Sequence, residues 1–579
     1  MRKIDRWVLL MLAFLMPVVS ACNKDEEIGA EFKPVITFDN ESGIYTVKIG
    51  HSLTLDPVIE HGEGAEIEWS VDGEVMCRER VWTATWDVAG EYYAMLTVTN
   101  RAGTAREEVR VDVLAQTPPT ISLRMPEDGL KVLAGKPLEL SPRYQHDDME
   151  GFAVEWTVDG EKVCDTPDYT FQESETGTYS VVITARNIDG VTEKRFDVEV
   201  VDKMPATVRF VPLSYGVADD VRYVFAGQPV SIRTVTQYIE NAEYRWTVNG
   251  AAVDCTTSVL VFTPDAAGDY NVKVVAGDSE ATMKVVCVAG SAQSRMRPAV
   301  AGSSANSNVV LEWTPAPGQF IGETSSVGGM TPDIVTHEQA RTWAQGRLDS
   351  RKFVSLGAWG GCVIVGFDHS VVKGGSEYDF GVMGNAISTS NEPGIVWVMQ
   401  DANGNGKPDD EWYQLRGSDY GSEQTNHDYS VTYYRPEGSG MTVEWTDCTG
   451  GGGEIDYLWM SHKQPTYYPV WVDVDSYTLY GTLLPPRNSV DPVTGFWSNM
   501  PFAWGYADNL GSDLIPGGDT ESGEGQWVGF KISNAVDANG NPVELNYIDF
   551  VKIQTGIMAK SGKLGEASTE VCGVRDWNL

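Results

Sequence analysis

The phrase EWSVDGEVMC, ending at Cys77, returns as EWTVDGEKVC ending at Cys164 and as RWTVNGAAVDC ending at Cys255. Each copy sets an Asp-Gly or Asn-Gly pair between alternating apolar residues. That is the strongest short hairpin signal, because a type I′ turn needs positive φ at both central positions. A second phrase follows each first one: AGEYYAMLTVTNRAG (89–103), TGTYSVVITARNIDG (176–190) and AAGDYNVKVVAGD (266–278), with period-2 alternation after a Gly-x-Tyr start. Trp69, Trp156 and Trp246 therefore recur about every 90 residues, and the chain must build one small β-sandwich three times. Each tryptophan is expected in the core between two sheets. Cys77 and Cys164 share a repeat position with no evident mate and read as buried small residues, while Cys255 and Cys287 are free to pair or not.

A chain of 579 residues needs more than one core, and its many short Val/Ile/Thr-rich runs broken by turn residues make it all-β. The formal net charge of −39, with no local Lys/Arg cluster to reverse it, repels phosphate backbones and excludes nucleic acid as a partner. Residues 1–21 combine a basic start, an apolar stretch from Trp7 to Val19 and small residues before Cys22, which is the pattern of a signal peptide. The domains expected after it are a linker (22–34), repeats at 35–115, 116–203 and 204–290, a Ser/Ala/Gly-rich linker (291–308) and a larger module (309–579). Short Pro-containing connections, Gln116-Thr-Pro-Pro and Lys203-Met-Pro, predict that the repeats form a semi-rigid stalk beneath that module.

The module reads as strands with long loops, a jelly-roll-like β-sandwich, with one helix from Thr336 to Leu348 and Thr336 as its N-cap. Between the apolar runs IVWVM and EWYQL lies DANGNGKPDD (401–410). Counted from Asp401, side-chain oxygens fall at positions 1, 3, 5 and 9 (Asp401, Asn403, Asn405, Asp409), glycines at 4 and 6, and a backbone carbonyl at 7 (Lys407). Alternate residues of a tight loop aim their oxygens at one centre, as Ca2+ requires. An EF-hand is excluded because position 12 is Trp412 and the flanks are strands. The loop is similar to the short calcium loops of integrin-type β-propellers, and the competing reading is an Asx turn without metal. In VDANGNPVEL, Asp537, Asn539 and Asn541 look alike, but Pro542 and the missing ninth ligand make that segment a turn.

No catalytic signature is present in the sequence. A G-x-S-x-G elbow is missing, and His337-Glu338 continues into Gln-Ala-Arg, so the zinc-peptidase motif fails. His369, His427 and His462 stand singly and read as structural. Loop aromatics offer a better lead. Trp459, Tyr467, Tyr468, Trp497, Trp504 and Tyr506, many beside Pro, Gly, Ser or Asn, are candidates to stack on a sugar or a flat macrocycle, against the alternative that they close the core.

Four further resemblances add to this reading. Val-Ser-Ala-Cys resembles the lipobox of bacterial lipoproteins, which implies cleavage after Ala21, lipidation of Cys22 and a membrane association made only through that anchor. Asn-Lys-Asp-Glu-Glu (23–27) resembles the export tag of Bacteroidetes surface lipoproteins, which implies an outer-membrane protein facing the exterior. The repeats resemble PKD domains and the wider immunoglobulin-like class, with Val-Asp-Gly in place of the usual Asp-Phe-Gly-Asp-Gly. In the module, EWTPAPGQFIGE (312–323), SLGAWGGCVIVGFDHSV (355–371), NEPGIVWVMQDANGNGKPDDEWYQL (391–415), FAWGYADN (502–509) and IDFVKIQTG with GEASTEVCGV (548–574) look like the C-terminal domain of Bacteroidetes surface lipoproteins found with corrinoid uptake systems. That likeness implies a non-enzymatic protein that captures vitamin B12 (cobalamin) or a related corrinoid for a TonB-dependent transporter. Relatives binding glycans instead, or less readily a calcium-dependent glycan-active enzyme, are the alternatives.

Overall fold

The computed structural model describes residues 32–40, 42–215, 220–324, 329–515, 526–562 and 565–579. The leader and Cys22 lie outside the described residues. The chain separates into two compact units, residues 1–117 and 118–579, so the first repeat stands by itself while the second and third belong with the C-terminal module.

The repeated phrases fold as the turn chemistry demands. Asp72-Gly73, Asp159-Gly160 and Asn249-Gly250 all have positive φ, between 49° and 85°. Each turn joins a tryptophan-bearing strand (Glu66–Val71, Ala153–Val158, Tyr244–Val248) to a short partner (Glu74–Cys77, Glu161–Cys164, Ala251–Val253) at one edge of a five-stranded sheet. The second phrase supplies the long hairpin in the middle, Gly90–Asn100 with Gly103–Leu114 in the first copy. A strand lying parallel to that hairpin's second arm closes the other edge, and the strand order is the same in all three sheets. These are PKD-like sandwiches of the immunoglobulin-like class. Trp69, Trp156 and Trp246 are at most 1% exposed, and each indole N–H donates to a backbone carbonyl across the core, of Arg80, Thr166 and Thr257 respectively. Cys77, Cys164, Cys255 and Cys287 are all free thiols, so Cys255 and Cys287 do not pair.

The C-terminal module is built on a six-stranded antiparallel sheet: Val309–Thr314, Cys362–Val372, Tyr547–Thr555, Gly394–Met399, Trp412–Leu415 and Ala535–Val536, in that spatial order. Its central strands read as unbroken apolar runs because both faces are covered. Val363, Val365, Val396, Val398, Val551 and Ile553 point into the main core, while Ile364, Ile395, Trp397, Met399 and Phe550 point into a second one. A four-stranded and a three-stranded antiparallel sheet complete the sandwich. The one α-helix among the described residues, His337–Asp349, has the N-cap expected from its sequence, and the structure extends it to a capping box, with the Thr336 side chain accepting from the Gln339 amide and the Gln339 side chain reaching back.

The stalk reading does not survive for the second and third repeats. Arg143 of the second pairs with Glu444 at 3.3 Å and Glu454 at 2.6 Å of the module, and Lys194 pairs with Glu437. From the third, Arg233 pairs with Asp428 at 2.8 Å and Arg222 with Glu411 at 3.5 Å. Short connections stiffen a chain, but side-chain complementarity across sequence-distant surfaces decides whether it folds back. The 291–308 segment, expected as a linker, is likewise bound down: Arg297 reaches Asp549 at 3.0 Å and the Phe367 carbonyl at 3.1 Å.

Replacing Trp156 with Ala should destabilise the protein by about 3–5 kcal/mol in denaturant unfolding followed at the second repeat. Trp156→Phe should cost less, since it keeps the ring and loses only the bond to Thr166.

Candidate functional site at the seam of the third repeat and the module

One face of the six-stranded sheet carries polar groups among its apolar ones. Lys552 on Tyr547–Thr555 stands opposite Ile364 on one side and Trp397 on the other, and Gln554 stands opposite Cys362 and Ile395. Alternation along the strands puts Glu312, Cys362, Trp397, Lys552 and Gln554 on this one face. Over it lie the strand Val221–Phe225, the strand Val230–Gln237 and the segment Val211–Ser214 of the third repeat, whose Leu213 packs on the sheet's second core.

Two adjoining cavities of about 470 Å3 and about 100 Å3 remain between these layers, sharing Pro212, Leu213, Tyr480, Lys552 and Gln554. The larger is bounded also by Tyr215, Tyr477 and the pair Arg209–Glu127, which are 3.7 Å apart, so its wall joins the second repeat, the third repeat and the module. In the smaller, the Lys552 ammonium sits 5.1 Å from the Trp397 ring centre and 4.8 Å from that of Trp412, a double cation–π contact. Burial lowers the Lys552 pKa to about 8, although Cys362 and Glu312 nearby favour its charge. Burial also raises the Glu312 carboxyl, opposed by hydrogen bonds from Ser214 and Thr314, and pushes the Cys362 thiol up. The third repeat's Arg222 and the module's Glu411, each 4% exposed, pair beside the smaller cavity, and Glu411 also accepts the Ser231 amide at 2.9 Å.

The candidate loop lies on the same seam. Asp401 accepts the amides of Gly404 at 2.7 Å, Asn405 at 3.0 Å and Gly406 at 2.9 Å, with Gly404 and Gly406 at positive φ of 76° and 73°. Asn403 and Asn405 each donate a side-chain N–H to Asp409 at 2.8 Å, and the Lys407 amide donates to the Asn405 side chain at 2.7 Å. Ala402 packs with Phe225 and Val288 of the third repeat. The 537–541 segment is a turn, its Asp537 carboxylate accepting the amides of Asn539 and Asn541, both at 2.9 Å.

The six loop aromatics do not come together. Tyr467, Tyr468 and Tyr506 are core residues with their hydroxyls engaged by the His462 carbonyl, the Val474 carbonyl and the Asp419 amide. Trp459 is exposed, Trp497 and Trp504 are half-buried, and none of the six lines either cavity. Tyrosines flanked by proline and glycine fill a core as readily as they present a ring, and the sequence does not separate the two. Of the aromatics that line the smaller cavity, Trp397 and Trp412 stand on the strands flanking the candidate loop, and that adjacency was a usable signal. His369 is fully buried between Asp368 and Asp576, and His427 lines the smaller cavity with its ring N–H face on the Tyr420 carbonyl.

Elsewhere, the ligand atoms of Glu392, Asp508 and Glu570 lie within 4.8 Å of one another. Asp508 accepts the amides of Asn385, Ala386 and Glu570, Glu392 accepts that of Ser568, and Glu570 accepts the Ser568 hydroxyl. Backbone amides and the Ser568 hydroxyl therefore engage this cluster, and burial together with mutual repulsion raises its carboxyls above the usual carboxylate range, Glu392 to about 8.

Residues 33–100 and 118–187 match the PKD-like domain family. No curated protein matches the chain. Among solved structures, it is similar to three N-terminal domains of the bacteriophage RB49 capsid protein Hoc, with 14% identity over 43% of this chain and 97% of that one and a TM-score of 0.21. It is also similar to fibronectin(III)-like modules of Clostridium thermocellum CbhA (15% identity, 29% and 94% covered, TM-score 0.17) and to titin domains z1z2 solved with telethonin (20% identity, 29% and 96%, TM-score 0.16).

The acid cluster has a measurable consequence. Glu392 and Glu566, both raised to about 8 chiefly by burial, bind protons in the folded state that the unfolded chain has released above its ordinary value of 4.5. Stability should therefore be greatest below that value and decline as pH rises through about 8. Glu392→Gln should flatten the decline in denaturant midpoints measured between about pH 5 and about pH 9.

Proposed function

We propose that this protein is a non-catalytic surface lipoprotein, anchored through Cys22 in the outer membrane, that captures a small ligand in the seam cavity and delivers it to a TonB-dependent transporter. The observation that carries the reading is the cavity of about 470 Å3, a volume in the range of small-ligand sites, whose wall is shared by the second repeat, the third repeat and the module. A site closed by several units can hold a ligand and release it through small shifts of one unit against another, which suits capture and transfer. The proposed ligand is a corrinoid, on the likeness of the module's phrases to those of corrinoid-uptake lipoproteins. Its polar side chains have Gln554, Arg209 and Glu127 to meet, and its apolar edge has Tyr215, Tyr477 and Tyr480.

A glycan is the second reading, favoured by the same alternation of tyrosine rings with a paired Arg209 and Glu127, which offers donors and acceptors to hydroxyl groups.

Titration of the full chain with cyanocobalamin should give saturable binding, weakened about tenfold or more in Tyr480→Ala and unchanged in Trp459→Ala, which lies outside the cavity. Saturable binding to a polysaccharide with none to cyanocobalamin would replace the first reading by the second. Binding to neither, or binding indifferent to Tyr480→Ala and Lys552→Met, would remove the seam cavity as the site.

A further inference from the structure

Ligand capture leaves the loop at 401–410 without a role, although it is the most ordered-looking oxygen cluster in the sequence and it abuts the third repeat. We propose that this loop binds one Ca2+ ion, with Asp410 joining Asp401, Asn403, Asn405, Asp409 and the Lys407 carbonyl as an oxygen donor, and that the ion locks the third repeat onto the module.

The residue that carries this is Asp410, which the spacing alone did not include. It is 1% exposed, its Oδ1 reaches into the loop to accept the Asn403 amide at 3.3 Å, and its Oδ2 has no partner. A carboxylate taken out of water needs a cation or a full set of donors, and this one has half a set. The charges nearest it, those of Asp401 and Asp409, are of the same sign, so protein groups make the site worse for an anion and better for a cation.

The rest of the loop supplies what a hard cation requires. Three amides fold the ring around the Asp401 carboxylate. The Asn403 and Asn405 carboxamides now turn their nitrogens toward Asp409. Their oxygens each accept one loop amide, Asn403 Oδ1 that of Asn405 at 2.9 Å and Asn405 Oδ1 that of Lys407 at 2.7 Å, and each keeps a second lone pair for a cation. Three carboxylates, two amide oxygens and a carbonyl supply six donor groups, within the six to eight oxygens that Ca2+ takes, and Ca2+ accepts a less regular arrangement than the strict octahedron of Mg2+.

The coupling to the seam is covalent and short. Glu411 follows Asp410 directly, accepts the Ser231 amide and pairs with Arg222, while Ala402 at the other end of the loop packs on Phe225 and Val288. A cation that fixes both ends of the loop thereby fixes both contacts to the third repeat.

The test is calcium titration of the EDTA-stripped full chain by calorimetry, with hydrogen exchange read at the Ser231 amide. One site should fill, the melting temperature should rise by about 3 °C or more at saturation, and exchange at Ser231 should slow about tenfold. Asp410→Asn should abolish the calcium-dependent rise, and Asn405→Ala, which leaves all carboxylates in place, should weaken binding about tenfold. No uptake at millimolar calcium, or a full calcium response in Asp410→Asn, overturns the site. Equal affinity for Mg2+ overturns the assignment to calcium. Binding that leaves Ser231 exchange unchanged overturns the lock.

Discussion

Arg222 and Glu411 meet at 3.5 Å with each only 4% exposed, one from a strand of the third repeat and the other from the loop that precedes Trp412–Leu415. Two charges withdrawn from water hold only if both are present and their remaining hydrogen-bonding capacity is met. Here it is met. Arg222 donates to the Val211 carbonyl at 3.0 Å, and Glu411 accepts the Ser231 amide. The contact therefore tolerates no slip in the way the repeat sits on the module, and everything between them inherits that register: the roof over Lys552, the pairing of Arg233 with Asp428, and the packing of Ala402 on Phe225.

Beneath that contact the six-stranded sheet solves a conflict between stability and use. One face is committed to the main core, with Val363, Val396 and Val551 fully buried. The other must be apolar enough to receive the third repeat yet carry Lys552, Gln554 and Glu312, and it does so by covering the lysine with two tryptophan rings in place of a carboxylate partner. The cavities remain because the third repeat rests on the sheet through Leu213 and the Arg222 contact, leaving a gap between them. A packed hydrophobic interface across the whole face would have been more stable and would have held nothing.

Much of this architecture was legible in the chain. Asp-Gly and Asn-Gly pairs bounded by alternation have one good backbone solution, so the hairpins, the buried tryptophans and the three sandwiches followed from local rules. The helix at His337–Asp349 followed from Thr336 as its N-cap. The Asx loop was visible through spacing, and its neighbour at 537–541 was separable by Pro542. Other features were not legible. Tyr467, Tyr468 and Tyr506 were drawn as loop aromatics but fill the core, because burial depends on which surface comes to rest over a residue, and its sequence neighbours do not report that.

What the sequence determined by itself is therefore the set of local conformations: three copies of one sandwich, a strand-rich module and a tight oxygen-bearing loop, together with a strongly acidic net charge. Tertiary structure alone decided which units share a surface. It placed the second and third repeats with the module, set Lys552 from one end of the chain opposite Arg222 and Leu213 from its middle, and buried Asp410 with one carboxylate oxygen unpartnered. The physical reason is that turn and strand preferences act over a few residues, while a site made of residue 127 and residues within 209–235, 312–412, 427–429, 474–481 and 552–554 is specified only by complementarity between surfaces that exist after each part has folded.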